Sequence, residues 1–288
     1  MNTIGTSTLG SSWRAKYFSS NLQKVLRNAL VSEKICQVDS TDSYYIHNPY
    51  GNQPTAAIQA LTGTYSVSAF TITDDSLTVT DEVIYGEHVF DFERVMSNYT
   101  LMADRMDDMA YAVAFGIDKF VLNVLTEDGT GTYTTPVGGF TSAANIPVIV
   151  SNLVSKVMGF ADAYRGLFLV IENTDVPGFL QAQIASGFSY SDAALNNGFM
   201  TNYAGVDIYV VRSGTFVSTT LGSRSDLTNS GHRVFGVKNV CTYASPRGIQ
   251  YMEKDVSGKT GKEIAVVGYV GAKVWTQKAS LIVDITLA

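Results

Sequence analysis

Residues 88–125, "HVFDFERVMSNYTLMADRMDDMAYAVAFGIDKFVLNVL", change period part-way through. Up to Glu93 the chain alternates apolar and polar residues, the period-two pattern of a strand. Ser97 or Asn98 then supplies a cap that accepts an orphan backbone N–H. Beyond it Met102, Met106, Met109, Val113, Ile117, Phe120 and Val124 recur every three or four positions, a helical stripe. Asp104, Arg105, Asp107, Asp108 and Lys119 fall off that stripe. The spacing predicts a helix over 97–125, roughly 40 Å long, ended by Gly129 and Gly131.

Upstream, positions 35–93 contain no Lys or Arg but nine acids, from Asp39 to Glu93. Within this window "AFTITDDSLTVTDEVIYGEHVFDFE" (69–93) and "CQVDSTDSYYI" (36–46) are rich in Thr, Val, Ile and Tyr, strand chemistry. "HNPYGNQP" (47–54) breaks the pattern between them. The two segments predict a long hairpin with too little apolar surface to be stable alone. Before it, Tyr17, Leu22, Leu26, Leu30 and Ile35 predict a helix over 13–35. This arm carries Arg14, Lys16, Lys24, Arg27 and Lys34 against Glu33 alone. A basic arm beside an acidic hairpin is a large charge asymmetry.

Downstream, "IPVIVSNLVSKVMGFADAY" (146–164) is amphipathic helix and "LFLVI" (167–171) a short buried strand. "TDVPGFLQAQIA" (174–185) predicts a helix capped by Thr174 or Asp175, with Pro177 in its first turn. "VDIYVVRS" (206–213) is a strand, and further strands are expected near 233–245, 248–256, 263–276 and 281–287. The fold class is α+β, with one outsized helix and one outsized hairpin.

The 288-residue chain can bury a sizeable core. Only 16% of it is charged, against about 25% in an average soluble domain, so much of its surface must be uncharged polar or covered by something else, a cover that repeated subunit contacts would supply. Net charge −6 argues against a protein that coats nucleic acid by neutralising phosphates. No uninterrupted apolar run of membrane-spanning length stands out, and the first residues lack the basic-then-apolar order of a secretory signal. Cys36 and Cys241 form no CxxC pair and read as two buried free thiols in a reducing compartment.

The sequence offers no active site. "SGKTGKE" (257–263) contains the Gly-Lys-Thr that closes a nucleotide-binding P-loop. That loop needs a glycine at position 253, where this chain has Glu, and a strand-to-helix turn. Strand patterns on both sides make it a hairpin loop instead. His47, His88 and His232 have no partners at metal-binding spacing. Asp107 and Asp108 diverge by ~100° around a helix and cannot share a substrate. No Gly-x-Ser-x-Gly elbow is present. No catalytic, cofactor or metal residues are therefore expected.

Taken in order, basic arm, acidic hairpin, long helix and compact α/β unit resemble the Hong Kong 97-type major capsid protein of tailed double-stranded DNA bacteriophages. The stretch 88–125, the segment "FADAYRGLFLVIENTDVPGFLQA" (160–182) and the tail "VGYVGAKVWTQKASLIVDI" (267–285) carry the resemblance. It implies an N-terminal arm and lead-in strand (1–46) and an extended hairpin, the E-loop (47–93). It further implies a peripheral P-domain built on the spine helix (94–140 plus 246–280) and an axial A-domain (141–245 plus 281–288).

The resemblance also implies self-assembly into pentamers and hexamers that close an icosahedral shell around packaged DNA, in weak non-specific contact with it. Assembly in the host cytoplasm with a portal and a separate scaffolding protein, and a final place in the virion capsid, are expected; a membrane partner is not. Arg14, Lys16, Lys24, Arg27, Asp74, Asp75, Asp81, Glu82, Lys259 and Lys262 are the expected contacts between subunits. Some family members cross-link through a hairpin lysine, which 35–93 lacks. An encapsulin shell enclosing an enzyme, distinguished by its genomic neighbours, is the nearest alternative. A small α/β enzyme or binding protein is a more distant one.

Overall fold

The long apolar stripe forms the helix expected of it, and two sheets are built against that helix. The computed structural model describes residues 30–39, 43–51, 69–89, 100–159, 166–185, 199–225, 227–246, 248–255 and 261–288, and single positions at 56, 58, 63 and 67. In chain order the helices are α1 (Ser32–Ile35), α2 (Thr100–Asp128), α3 (Asn145–Val157) and α4 (Val176–Ala185). Early strands are β1 (Gln37–Asp39), β2 (Tyr45–His47), β3 (Tyr50–Gly51), β4 (Ile72–Thr73), β5 (Ser76–Thr78) and β6 (Asp81–Val89). Then come β7 (Gly131–Thr134), β8 (Leu167–Glu172), β9 (Phe199–Tyr203), β10 (Val206–Val211) and β11 (His232–Val237). The last are β12 (Cys241–Ala244), β13 (Ile249–Asp255), β14 (Lys262–Val274) and β15 (Ile282–Thr286).

The first sheet is organised by β14. It pairs antiparallel with β13 from Asp255↔Lys262 to Ile249↔Gly268, and with β6 from Val89↔Lys262 to Asp81↔Val270. Its far end pairs with β12, which carries β1 in parallel at the edge. The second sheet has the order β7-β15-β11-β8-β10-β9, with β8 and β10 parallel. Sequence patterning read β6 as the return strand of the hairpin. In the structure β6 also pairs with β14, and Val83 on β6 approaches α2 at Gly116. Among the described residues, the hairpin ladder comprises β2 with β5 and β3 with β4.

α2 closes on the first sheet through missing side chains. A Cβ on Gly116 would lie 2.5 Å from Val83 Cγ1, and one on Gly268 would lie 2.9 Å from Ile117 Cδ1. Glycine in a helix interior costs about 1 kcal/mol relative to alanine, and here the cost is offset by backbone approach. Met109, Val113, Ile117, Phe120 and Val124 are buried as the stripe predicts. They join Leu153 of α3, Phe179 of α4 and Phe235 of β11 in one continuous core. Phe179 stacks on Phe140 with ring centroids 5.7 Å apart.

Three local features depart from expectation. α2 ends at Asp128, past Leu125, where Arg224 bonds Asp128 Oδ1 at 2.8 Å and Glu127 Oε2 at 3.0 Å. Asp175 does not cap α4 with its side chain. Its carboxylate is buried and accepts from Arg233 Nε at 2.5 Å and from the Glu172 N–H at 3.2 Å. Finally, the window Asp107–Asp128 is long and apolar enough to cross a bilayer by composition, at mean hydropathy 1.4. In this fold two thirds of it is buried inside the protein, which accounts for its apolarity without a membrane.

Candidate assembly surface

The root of the hairpin is packed and bonded against the rest of the fold. Below β5, Leu77 and Val79 enter a small second core with Ala244 and Trp275, flanked by Ile46 and Tyr269. The Trp275 indole N–H donates to Thr242 Oγ1 at 2.8 Å, which satisfies it in that buried position.

Two carboxylates clamp this root. Asp75 is paired with Lys273 of β14 and accepts the Thr276 backbone N–H at 2.9 Å. Lys273 also donates to the Ser76 carbonyl at 2.8 Å. Burial alone would raise the Asp75 pKa. The bonds from Lys273 and Thr276, with the lysine charge, overcome this and hold the carboxyl below the usual carboxylate range. Asp81, at the start of β6, is buried and accepts from the Ser223 N–H at 2.5 Å and the Ser223 hydroxyl at 2.6 Å. It fastens the exit of the hairpin to the loop after β10.

Beyond the root the chemistry changes. Ile58, Val67, Phe70 and Ile72 are all exposed, with Ile58 fully so and Phe70 at 74%. Tyr44 and Tyr45 are also exposed. Exposed apolar side chains of this size are unfavourable in water when left uncovered. They have the composition of a surface that a further chain covers.

The expected contact residues separate into groups. Arg14, Lys16, Lys24, Arg27 and Lys259 lie outside the described residues. Asp75 and Asp81 are spent on partners within their own chain, an outcome the acidic window could not reveal because Lys273 and Ser223 lie far along the sequence. Asp74 is exposed and meets His47 Nδ1 at 2.7 Å. Glu82 is exposed. Lys262 is paired with Glu253 across the β13–β14 ladder. That ladder flanks "SGKTGKE" with antiparallel strands, not the strand and helix a P-loop needs. Among the described residues no group of His, Cys, Asp and Glu has the arrangement of a metal site.

No protein-family model matches the chain, and no curated protein matches it. Solved structures do. The capsid of the cyanophage P-SCSP1u superimposes with TM-score 0.73 at 12% identity, over 100% of this chain and 96% of that one. The chain has the fold of a phage capsid subunit. A structure from Mycobacterium phage Che8 matches with TM-score 0.70 at 16% identity, covering 96% and 98% of the two chains. The capsid of an empty GTA particle matches with TM-score 0.68 at 14% identity, over 98% and 99%. The correspondence extends over nearly the full length of both chains. At these identities the likeness lies in the arrangement of elements, as the element order in the sequence had suggested.

Proposed function

We propose that the chain is a major capsid protein, a structural subunit with no catalytic role, which assembles into pentamers and hexamers and closes an icosahedral shell around double-stranded DNA. One observation carries this reading. The root of the hairpin is doubly clamped, and the described apolar side chains beyond it, Ile58, Val67, Phe70 and Ile72, face solvent. A neighbouring copy supplies the missing surface, and the low charge content suits repeated self-contact. The acidic net charge keeps packaged DNA weakly held.

On this reading Asp74, Glu82 and Lys262, with Arg14, Lys16, Lys24, Arg27 and Lys259, face neighbouring subunits, where opposite charges set register. A separate scaffolding protein and a portal take part in assembly in the host cytoplasm, and the mature location is the virion. Electron microscopy of the purified chain, alone and coexpressed with its neighbouring genes, tests the proposal. Closed isometric shells, or free hexamers and pentamers, are expected. A stable monomer under every condition refutes it.

A further inference from the structure

The two cysteines, far apart in sequence, meet in the fold. β1 and β12 run parallel in the register Gln37↔Thr242, Val38↔Tyr243 and Asp39↔Ala244. One step back along both strands sets Cys36 beside Cys241. The Asn239 N–H donates to the Ile35 carbonyl at 2.8 Å and holds the approach to that step. Laterally paired residues of parallel strands project to the same face, and neighbouring strands lie about 4.8 Å apart. Disulfides span Cα separations of about 4.4–6.8 Å. Both side chains are buried, at 4% and 1% exposure, and both are free thiols. Contact with Cys241, then burial, raises the Cys36 thiol well above its ordinary pKa, and the Asp118 carboxylate adds to this. Cys36 is thus kept protonated and unreactive while the local structure is closed.

That closure is shallow. β1 has three residues at a sheet edge, and Gln37 and Val38 are exposed. The preceding turn is tied down by Asp118 of α2, whose carboxylate accepts from the Ser32 N–H at 2.6 Å and the Val31 N–H at 3.3 Å. Short edge elements open locally at a small fraction of the global unfolding free energy.

We propose that Cys36 and Cys241 are an oxidisable pair, which a low-molecular-weight disulfide converts to an intrachain bond stapling the root of the N-terminal segment to β12. One cysteine, as thiolate, attacks the small disulfide, forms a mixed disulfide and releases one small thiol. The second cysteine attacks the mixed disulfide at the protein sulfur and releases the other. The protein gives up two protons and two electrons, and the small disulfide takes up both. The closed loop runs from position 36 to 241 and includes most of the fold, so cross-linking restricts much of the unfolded chain. The inference concerns the single subunit and does not depend on the assembly reading.

The test uses the full chain, oxidised in two ways: folded, with excess oxidised glutathione, and during refolding from denaturant in a glutathione redox buffer. Each sample is alkylated under denaturing conditions and mapped without reduction. A peptide linking Cys36 to Cys241, with loss of two hydrogens from the intact mass, is expected in at least the refolded sample. The melting temperature should rise on oxidation, fall back with reductant, and not respond in Cys36→Ser or Cys241→Ser. Linkage after refolding but not in the folded chain would still support the pairing and place the barrier in access. Full alkylation of both cysteines in both samples, mixed disulfides only, or links between chains only would overturn it.

Discussion

The ammonium of Lys273, near the end of the central strand β14, grips the carboxylate of Asp75 on the hairpin, 198 positions earlier in the chain. This contact fixes the root of an element with no core of its own, and it can be released by protonation. The Asp75 carboxyl titrates below its unfolded value, so its stabilisation is fully present above about pH 3.9. It is lost as pH falls through the lower, folded pKa. Asp75→Asn should cost on the order of 1–3 kcal/mol near pH 6. Melting temperatures of variant and parent should converge as pH falls below the folded pKa, and a gap that stays constant with pH would assign the effect elsewhere.

The hairpin tip and root should separate by deletion. Replacing residues 52–71 with a short Gly-Ser link keeps β3, β4, Asp75, Leu77 and Val79, so the subunit should melt within a few degrees of the parent. Shell formation should be abolished, because the exposed Phe70 and Ile58 are gone. Normal shells by microscopy would show that the tip is not an assembly element.

Reversing both charges at Lys259 and Lys262 addresses the Gly-Lys-Thr triplet. Nucleotide binding by calorimetry should be absent before and after, since antiparallel strands flank the loop. Association of capsomers, followed by light scattering, should weaken, and more so at low ionic strength, where exposed charges are least screened.

Gly116→Ala sets propensity against packing. Alanine favours the helix by about 1 kcal/mol, yet its Cβ would lie 2.5 Å from Val83 Cγ1. Overpacking of this kind costs about 1–3 kcal/mol. A net loss in denaturant midpoint is expected, and Val83→Ala in the same chain should recover part of it.

Arg233 is the buried cation of the second sheet, bonded to Asp175 Oδ2 at 2.5 Å and to Glu172 Oε2 at 3.2 Å. Arg233→Met strands two acids in a poorly solvated site and should destabilise the subunit by about 3–5 kcal/mol. Chemical denaturation gives the value; a loss below 1 kcal/mol would mean the acids reach water.

Local periodicity made much of this architecture legible. The stripe from Met109 to Val124 specifies α2, because its pattern is set by neighbours a few residues away, and strands expected near 248–256 and 263–276 form as β13 and β14. The lack of Lys and Arg across 35–93 likewise marked the hairpin region as chemically distinct. The same acidic run does not show which of its members have partners in their own chain. Asp75 and Asp81 look like surface charges until Lys273 and Ser223 are brought beside them, and no local pattern encodes a partner more than a hundred residues away. For the same reason the pairing of β6 with β14 was not legible, since the two strands lie far apart in the chain. The sequence by itself determined the elements and their order. Tertiary structure alone decided which acids are structural, which strand closes the sheet and that Cys36 meets Cys241, since these follow from packing between segments distant along the chain.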